Sequence, residues 1–130
     1  MFSTLPSLLA FSILLGLLHL MLGAGLGKSR RAFAWNMGPR DEPPPPATLH
    51  GARAQRAFHN FMESFPFFAA ALLCALATNR DGNLPELGAQ LYFWSRVVYL
   101  PAYVFGVPVI RSLAWFVSIA GIVLLVVSII

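Results

Sequence analysis

The sequence predicts an all-α integral-membrane protein: four transmembrane helices in an up-down bundle forming one unit from residue 1 to 130. Three observations carry this. Of the 130 residues, 58% are hydrophobic and 11% charged, against about 45–50% and about 25% in soluble domains. The apolar residues fall in runs of roughly 20, the length that crosses about 30 Å of hydrocarbon. The charges collect between those runs, with six of the nine basic residues lying between Lys28 and Arg56. The single cysteine, Cys74, excludes a disulfide scaffold and a cysteine metal cluster within one chain. A net charge of +4 in so apolar a chain points to membrane topology before nucleic acid.

The first span covers residues 5–26. It carries no charge, and His19 is its one strongly polar side chain. A cleaved signal peptide fits poorly, because no basic residue precedes the run and the run exceeds a signal core of about 7–15 residues. Residues 27–47 form a polar, proline-rich loop holding Lys28, Arg30, Arg31, Arg40, Asp41 and Glu42, then Pro43 to Pro46. Four successive prolines give an extended connector, since each fixes its own φ and lacks a backbone donor.

The second helix is expected over residues 48–78, with Thr48 as N-cap. Its first half is polar, its second half (65–77) wholly apolar, and Pro66 lies between them. The stretch 79–83, NRDGN, reads as a turn. The third span is 84–105 and the fourth 109–130, with a break at Gly106–Pro108. Basic residues in short loops stay cytoplasmic. The first and third connections are therefore expected in the cytoplasm, and both termini on the non-cytoplasmic side.

The few intramembrane polar residues form a pattern. Arg56, His59, Asn60 and Glu63 stand at i, i+3, i+4 and i+7, one face of a helix, and Arg53 extends that stripe outward. Arg96, Tyr99 and Tyr103 make a second stripe. Counted at about 1.5 Å per residue, Glu63 lies roughly 22 Å in from Thr78 and Arg96 roughly 18 Å in from Leu84. Charges at that depth are costly and take partners, so Glu63 and Arg96 are expected to pair. Two polar faces with a basic mouth suit an anionic, amphipathic ligand. The bland reading is hydrogen-bonded glue that fixes helix register. His19, His50 and His59 lie on different faces without carboxylate spacing, so no metal site is expected. His19 reads as a hydrogen-bonded bundle residue, Cys74 as packing, and Gly121 as a point of close helix contact.

The segment 53–67, RAQRAFHNFMESFPF, resembles the second-helix signature of the membrane-associated proteins in eicosanoid and glutathione metabolism, the MAPEG family. Arg56, Ala57, Asn60, Glu63, Phe65 and Pro66 carry the match; Arg96, Tyr99 and Tyr103, followed by Arg111 in VPVIRS, carry a second. The chain looks like a small bacterial member. The resemblance implies a homotrimer in the bacterial inner membrane, with glutathione as co-substrate in a cleft between subunits near the cytoplasmic side. It also implies conjugation of glutathione to a lipophilic small molecule, an electrophile entering from the lipid bilayer. On the matching positions, Arg56, Asn60, Glu63, Arg96, Tyr103 and Arg111 would contact glutathione or shape its pocket. Arg111 is the catalytic candidate, since a cation near a thiol favours the thiolate. The two stripes add Arg53, His59 and Tyr99 to the binding set.

The sequence departs from the family pattern at Ala52, where eicosanoid-forming members have an acidic residue, at His59, where several have a second arginine, and in the proline-rich loop. These departures keep open an alternative, a non-catalytic scaffold or ligand-binding protein of the same fold. A four-span multidrug exporter would need an acidic residue in its first span, and residues 5–26 hold none.

Overall fold

A computed structural model describes residues 4–25, 30–46 and 48–130. All its regular structure is helical: α1 (Leu5–Gly25), α2 (Arg30–Met37), α3 (Leu49–Ala77), α4 (Asn83–Val104) and α5 (Pro108–Ile129). Each of the four long helices lies within one residue of the range its sequence pattern suggested. α2 corrects the expectation of a loop throughout residues 27–47. Its sequence, RRAFAWNM, has no proline, and the non-helical stretch begins only at Gly38. Pro43–Pro46 are outside any helix, as the locked φ requires. Lys28 lies outside the described residues.

Local chemistry sets the helix ends. Thr48 is extended (φ −64°, ψ 162°) and its hydroxyl accepts the Gly51 N–H at the start of α3. Replacing Thr48 by Ala should cost about 1 kcal/mol of stability, read as a lower melting temperature in detergent. α3 runs unbroken through Pro66 and ends at a left-handed Asn79 (φ 54°), with the Arg80 N–H reaching back to the Ala75 carbonyl. The turn from α4 to α5 uses Gly106 at φ +72°, and the Val107 N–H bonds the Ala102 carbonyl. Pro108 then opens α5, where its missing donor costs nothing.

α1, α3 and α5 are long and apolar enough to cross a membrane. Their outward faces carry Phe11, Leu14, Met21, Phe67, Leu73, Phe116 and Val127, all exposed. So large an apolar surface is stable in hydrocarbon and not in water, so the chain is an integral membrane protein. α4 has 22 residues but no stretch as apolar as those of the other three. It is also the most enclosed, packing on α5, α3 and α1. Its contact with α5 is backbone on backbone. A Cβ built on Gly121 would stand 2.5 Å from the Gly88 carbonyl oxygen, and one on Gly88 would stand 2.6 Å from the Gly121 oxygen. Two core clusters fill the bundle. One centres on Phe68, Leu72, Tyr92 and Leu125, the other on Phe61, Ala57, Tyr99 and Ala114.

Candidate functional site

The long helices alternate in direction. The end of α1, the start of α3, the end of α4 and the start of α5 therefore lie together, and the polar stripes of α3 and α4 meet at that end of the bundle. The deepest element is Arg96, fully buried on α4. Its Nη1 donates to Asn60 Oδ1 at 2.8 Å and its Nη2 to Ser64 Oγ at 2.6 Å. The guanidinium lies over the rings of Tyr99 (4.8 Å) and Tyr92 (5.7 Å). The Ser64 hydroxyl also donates to the Phe61 carbonyl and shares a 3.0 Å bond with Tyr92 Oη. A buried cation is thus held by a neutral amide, a hydroxyl and two aromatic faces.

This overturns the expected Glu63–Arg96 pair. Glu63 is exposed on the chain and forms no ion pair among the described residues. At about 100° per residue, Asn60 and Ser64 share the side of α3 that faces α4, whereas Glu63 lies about 60° round from Asn60. Depth alone did not contain that rotation.

Nearer the mouth the stripe continues. Two cations stand over the Tyr103 ring, with Arg111 Cζ at 5.0 Å and Arg56 Cζ at 5.9 Å from its centroid. Arg56 Nε donates to Tyr103 Oη at 3.2 Å, and Tyr99 stands 5.6 Å from Tyr103. Asn60, Tyr99, Tyr103 and Arg111 line a cavity of about 300 Å³, and Ser112, Trp115 and Phe116 form its remaining wall. The four come from three helices. No carboxylate among the described residues pairs with Arg56 or Arg111. The two cations therefore keep their capacity for an anion.

Arg53 is placed differently. Its Nη1 donates to the Val104 carbonyl at 3.3 Å, and its guanidinium fills the space beside Gly106, where an added Cβ would meet Nη1 at 2.8 Å. It braces the α4–α5 turn. His59 is exposed on α3 beside Glu63, and neither borders the cavity. The structure thus brings together Asn60, Tyr99, Tyr103 and Arg111, with Arg56 and Arg96 bonded to members of the set. Sequence reasoning missed Ser64, Tyr92, Ser112, Trp115 and Phe116. Ser64 and Tyr92 carried a signal, since they extend the Asn60 and Arg96 stripes by one turn. The α5 residues gave none, because their side chains resemble those of any lipid-facing helix.

His19 corrects a further expectation. It is fully buried, and among the described residues neither ring nitrogen has a hydrogen-bond partner. Its neighbour is the Phe61 ring, 4.8 Å away. Ser12, two turns earlier on the same buried stripe of α1, is also without a partner among the described residues. Around Phe61 the buried α3 residues Ala54, Ala57 and Phe68 have no polar side chain, and the hydroxyl of the buried Ser64 is bonded to Phe61, Tyr92 and Arg96.

The model of the MAPEG family matches residues 8–130. Neither the curated proteins nor the solved structures gave a match.

Proposed function

The chain belongs to the MAPEG family, and on that premise we propose that it binds glutathione near the cytoplasmic side and conjugates it to a lipophilic electrophile. α4 completes a set of four spans, the termini lie on the non-cytoplasmic side of the bacterial inner membrane, and three copies assemble so that each site lies between neighbours. The exposed polar side chains of α3, His59 and Glu63, support that assembly. A charge facing lipid is costly, and a neighbouring copy would cover it.

The observation that carries the reading is the cavity in which Asn60, Tyr103 and Arg111 converge, with Arg56 bonded at its edge. Glutathione has two carboxylates and a thiol. Guanidiniums bind carboxylates through paired charge-assisted bonds, which suits Arg56. Arg111, half-buried against the Tyr103 ring, would hold the thiol as thiolate, the form that attacks. Asn60 and Arg96 hold each other and thereby shape the floor. Trp115 and Phe116 give the apolar side, and Phe116 is exposed to the outside of the bundle. An electrophile dissolved in the bilayer can reach the site along that side.

The test is glutathione consumption with a generic aromatic electrophile, using purified protein in detergent. Arg111→Ala should lower kcat by about 10²-fold or more, the scale of losing one electrostatic stabiliser. Arg56→Ala should chiefly raise KM. Background rates in the unmodified protein, with glutathione binding intact by calorimetry, would instead favour the scaffold reading that Ala52 and His59 keep open. No binding and no turnover would defeat the glutathione reading and leave the scaffold.

A further inference from the structure

We propose that α2 is an interfacial anchor. It lies along the anionic headgroup surface of the leaflet at which α1 ends, with Phe33 and Met37 set into the acyl boundary. The proposal rests on the chain being an integral membrane protein and is independent of the glutathione reading.

Among the described residues, α2 packs against none of the four long helices. Its shape is instead fixed by the segment that follows it. Trp35 Nε1 donates to the Glu42 carbonyl at 2.7 Å. The Arg40 guanidinium lies over the Trp35 ring at 5.5 Å and donates from Nε and Nη2 to the Asn36 carbonyl. The Gly38 N–H bonds the Ala34 carbonyl. The chain thus folds back over the Trp35 side of α2 and leaves the opposite side bare. That side presents Phe33, 56% exposed, and Met37, 88% exposed. The two are four positions apart and so share a face. A short helix held in shape with an uncovered apolar face requires an apolar neighbour.

Two observations identify that neighbour as the lipid surface. α1 reaches the end of its apolar run at Gly25, five residues before α2 begins, so α2 is tethered at the boundary of the hydrocarbon. The segment is also basic. Lys28, Arg30, Arg31 and Arg40 stand against Asp41 and Glu42. The Arg31 side chain is exposed and has no carboxylate partner among the described residues, while both acids sit on the folded-back segment. Apolar side chains on one face and exposed cations on the other, Arg31 and Arg40, are the composition of a helix that lies in an anionic interface.

The experiment uses the full chain with Cys74→Ala, and single labelling cysteines at Phe33→Cys, Met37→Cys or Asp41→Cys carrying an environment-sensitive fluorophore. Met37 and Asp41 are both exposed on the chain itself, so only the membrane distinguishes them. The proteins are placed in lipid nanodiscs of phosphatidylcholine, with or without phosphatidylglycerol. Labels at 33 and 37 should be quenched by brominated lipid and shielded from aqueous iodide, and the label at 41 should show the reverse. Phosphatidylglycerol should strengthen the contrast and salt should weaken it. Arg31→Ala should reduce the anionic-lipid preference about fivefold, the equivalent of about 1 kcal/mol per basic side chain at such a surface. Equal quenching at 37 and 41 in both discs would overturn the proposal. So would shielding of 33 and 37 that persists unchanged in detergent, which would mean that protein covers the face. Shielding indifferent to phosphatidylglycerol would overturn the anionic contact.

Discussion

Arg96→Ala should lower stability by about 3–5 kcal/mol and drop the melting temperature in detergent steeply. The substitution removes two hydrogen bonds from a charged donor, each worth about 1.5–3 kcal/mol. It also opens a void where a fully buried side chain had packed against Tyr92 and Tyr99, and cavities of that kind add to the loss. Asn60 Oδ1 would be left facing that void. Asn60→Leu attacks the same bond from the other side, leaving the buried guanidinium with Ser64 as its one remaining hydrogen-bond acceptor, and should cost about 1.5–3 kcal/mol. The double variant should cost less than the sum of the two, because partners in one network couple. Additive losses would show that Arg96 and Asn60 contribute separately, contrary to the geometry.

Gly121→Ala should be far more damaging than the same small change at Gly25. The added Cβ would stand 2.5 Å from the Gly88 carbonyl oxygen and 2.8 Å from the Tyr92 nitrogen. Both are backbone atoms, so relief requires α4 and α5 to separate. Overpacking of this kind costs about 1–3 kcal/mol and sometimes more, and Gly121→Leu should exceed it. The effect should spread to the site, because α4 and α5 carry Tyr99, Tyr103 and Arg111 on the two sides of that contact. Gly25→Ala is the control. Among the described residues nothing lies within 4 Å of its added Cβ, and Ala is the better helix former, so its melting temperature should hold or rise. Equal melting temperatures for the two alanine variants would refute the close approach.

How far the site was legible in the sequence differs from residue to residue. Asn60 and Arg96 were picked out because a polar residue deep in an apolar run is expensive, and each is bonded to the other, Arg96 fully buried and Asn60 partly so. Arg96 was given the wrong partner. Charge and depth favoured Glu63, yet an amide and a hydroxyl took its place. Arg53 belonged by spacing to the ligand-facing stripe and braces a turn instead, because Gly106 leaves room for its guanidinium. His19 was expected to find a partner because most buried polar groups do, but Ala54, Ala57, Phe61 and Phe68 of α3 have no polar side chain, and the Ser64 hydroxyl is bonded elsewhere.

The sequence by itself determined where the four long helices run, that the chain belongs in a membrane, and which scarce polar residues lie within those helices. Those properties depend on local quantities, namely the hydropathy of successive residues, turn and cap chemistry, and a 3.6-residue repeat. The tertiary structure alone decided how each helix is rotated about its axis. One residue of rotation is about 100°, which separates Ser64, bonded to Arg96, from Glu63, turned away from it. That rotation is set by the fit of whole faces, by the Gly88–Gly121 contact and by the Phe68–Tyr92 stack at 3.9 Å. Each joins residues far apart in the chain, and no local pattern encodes their pairing.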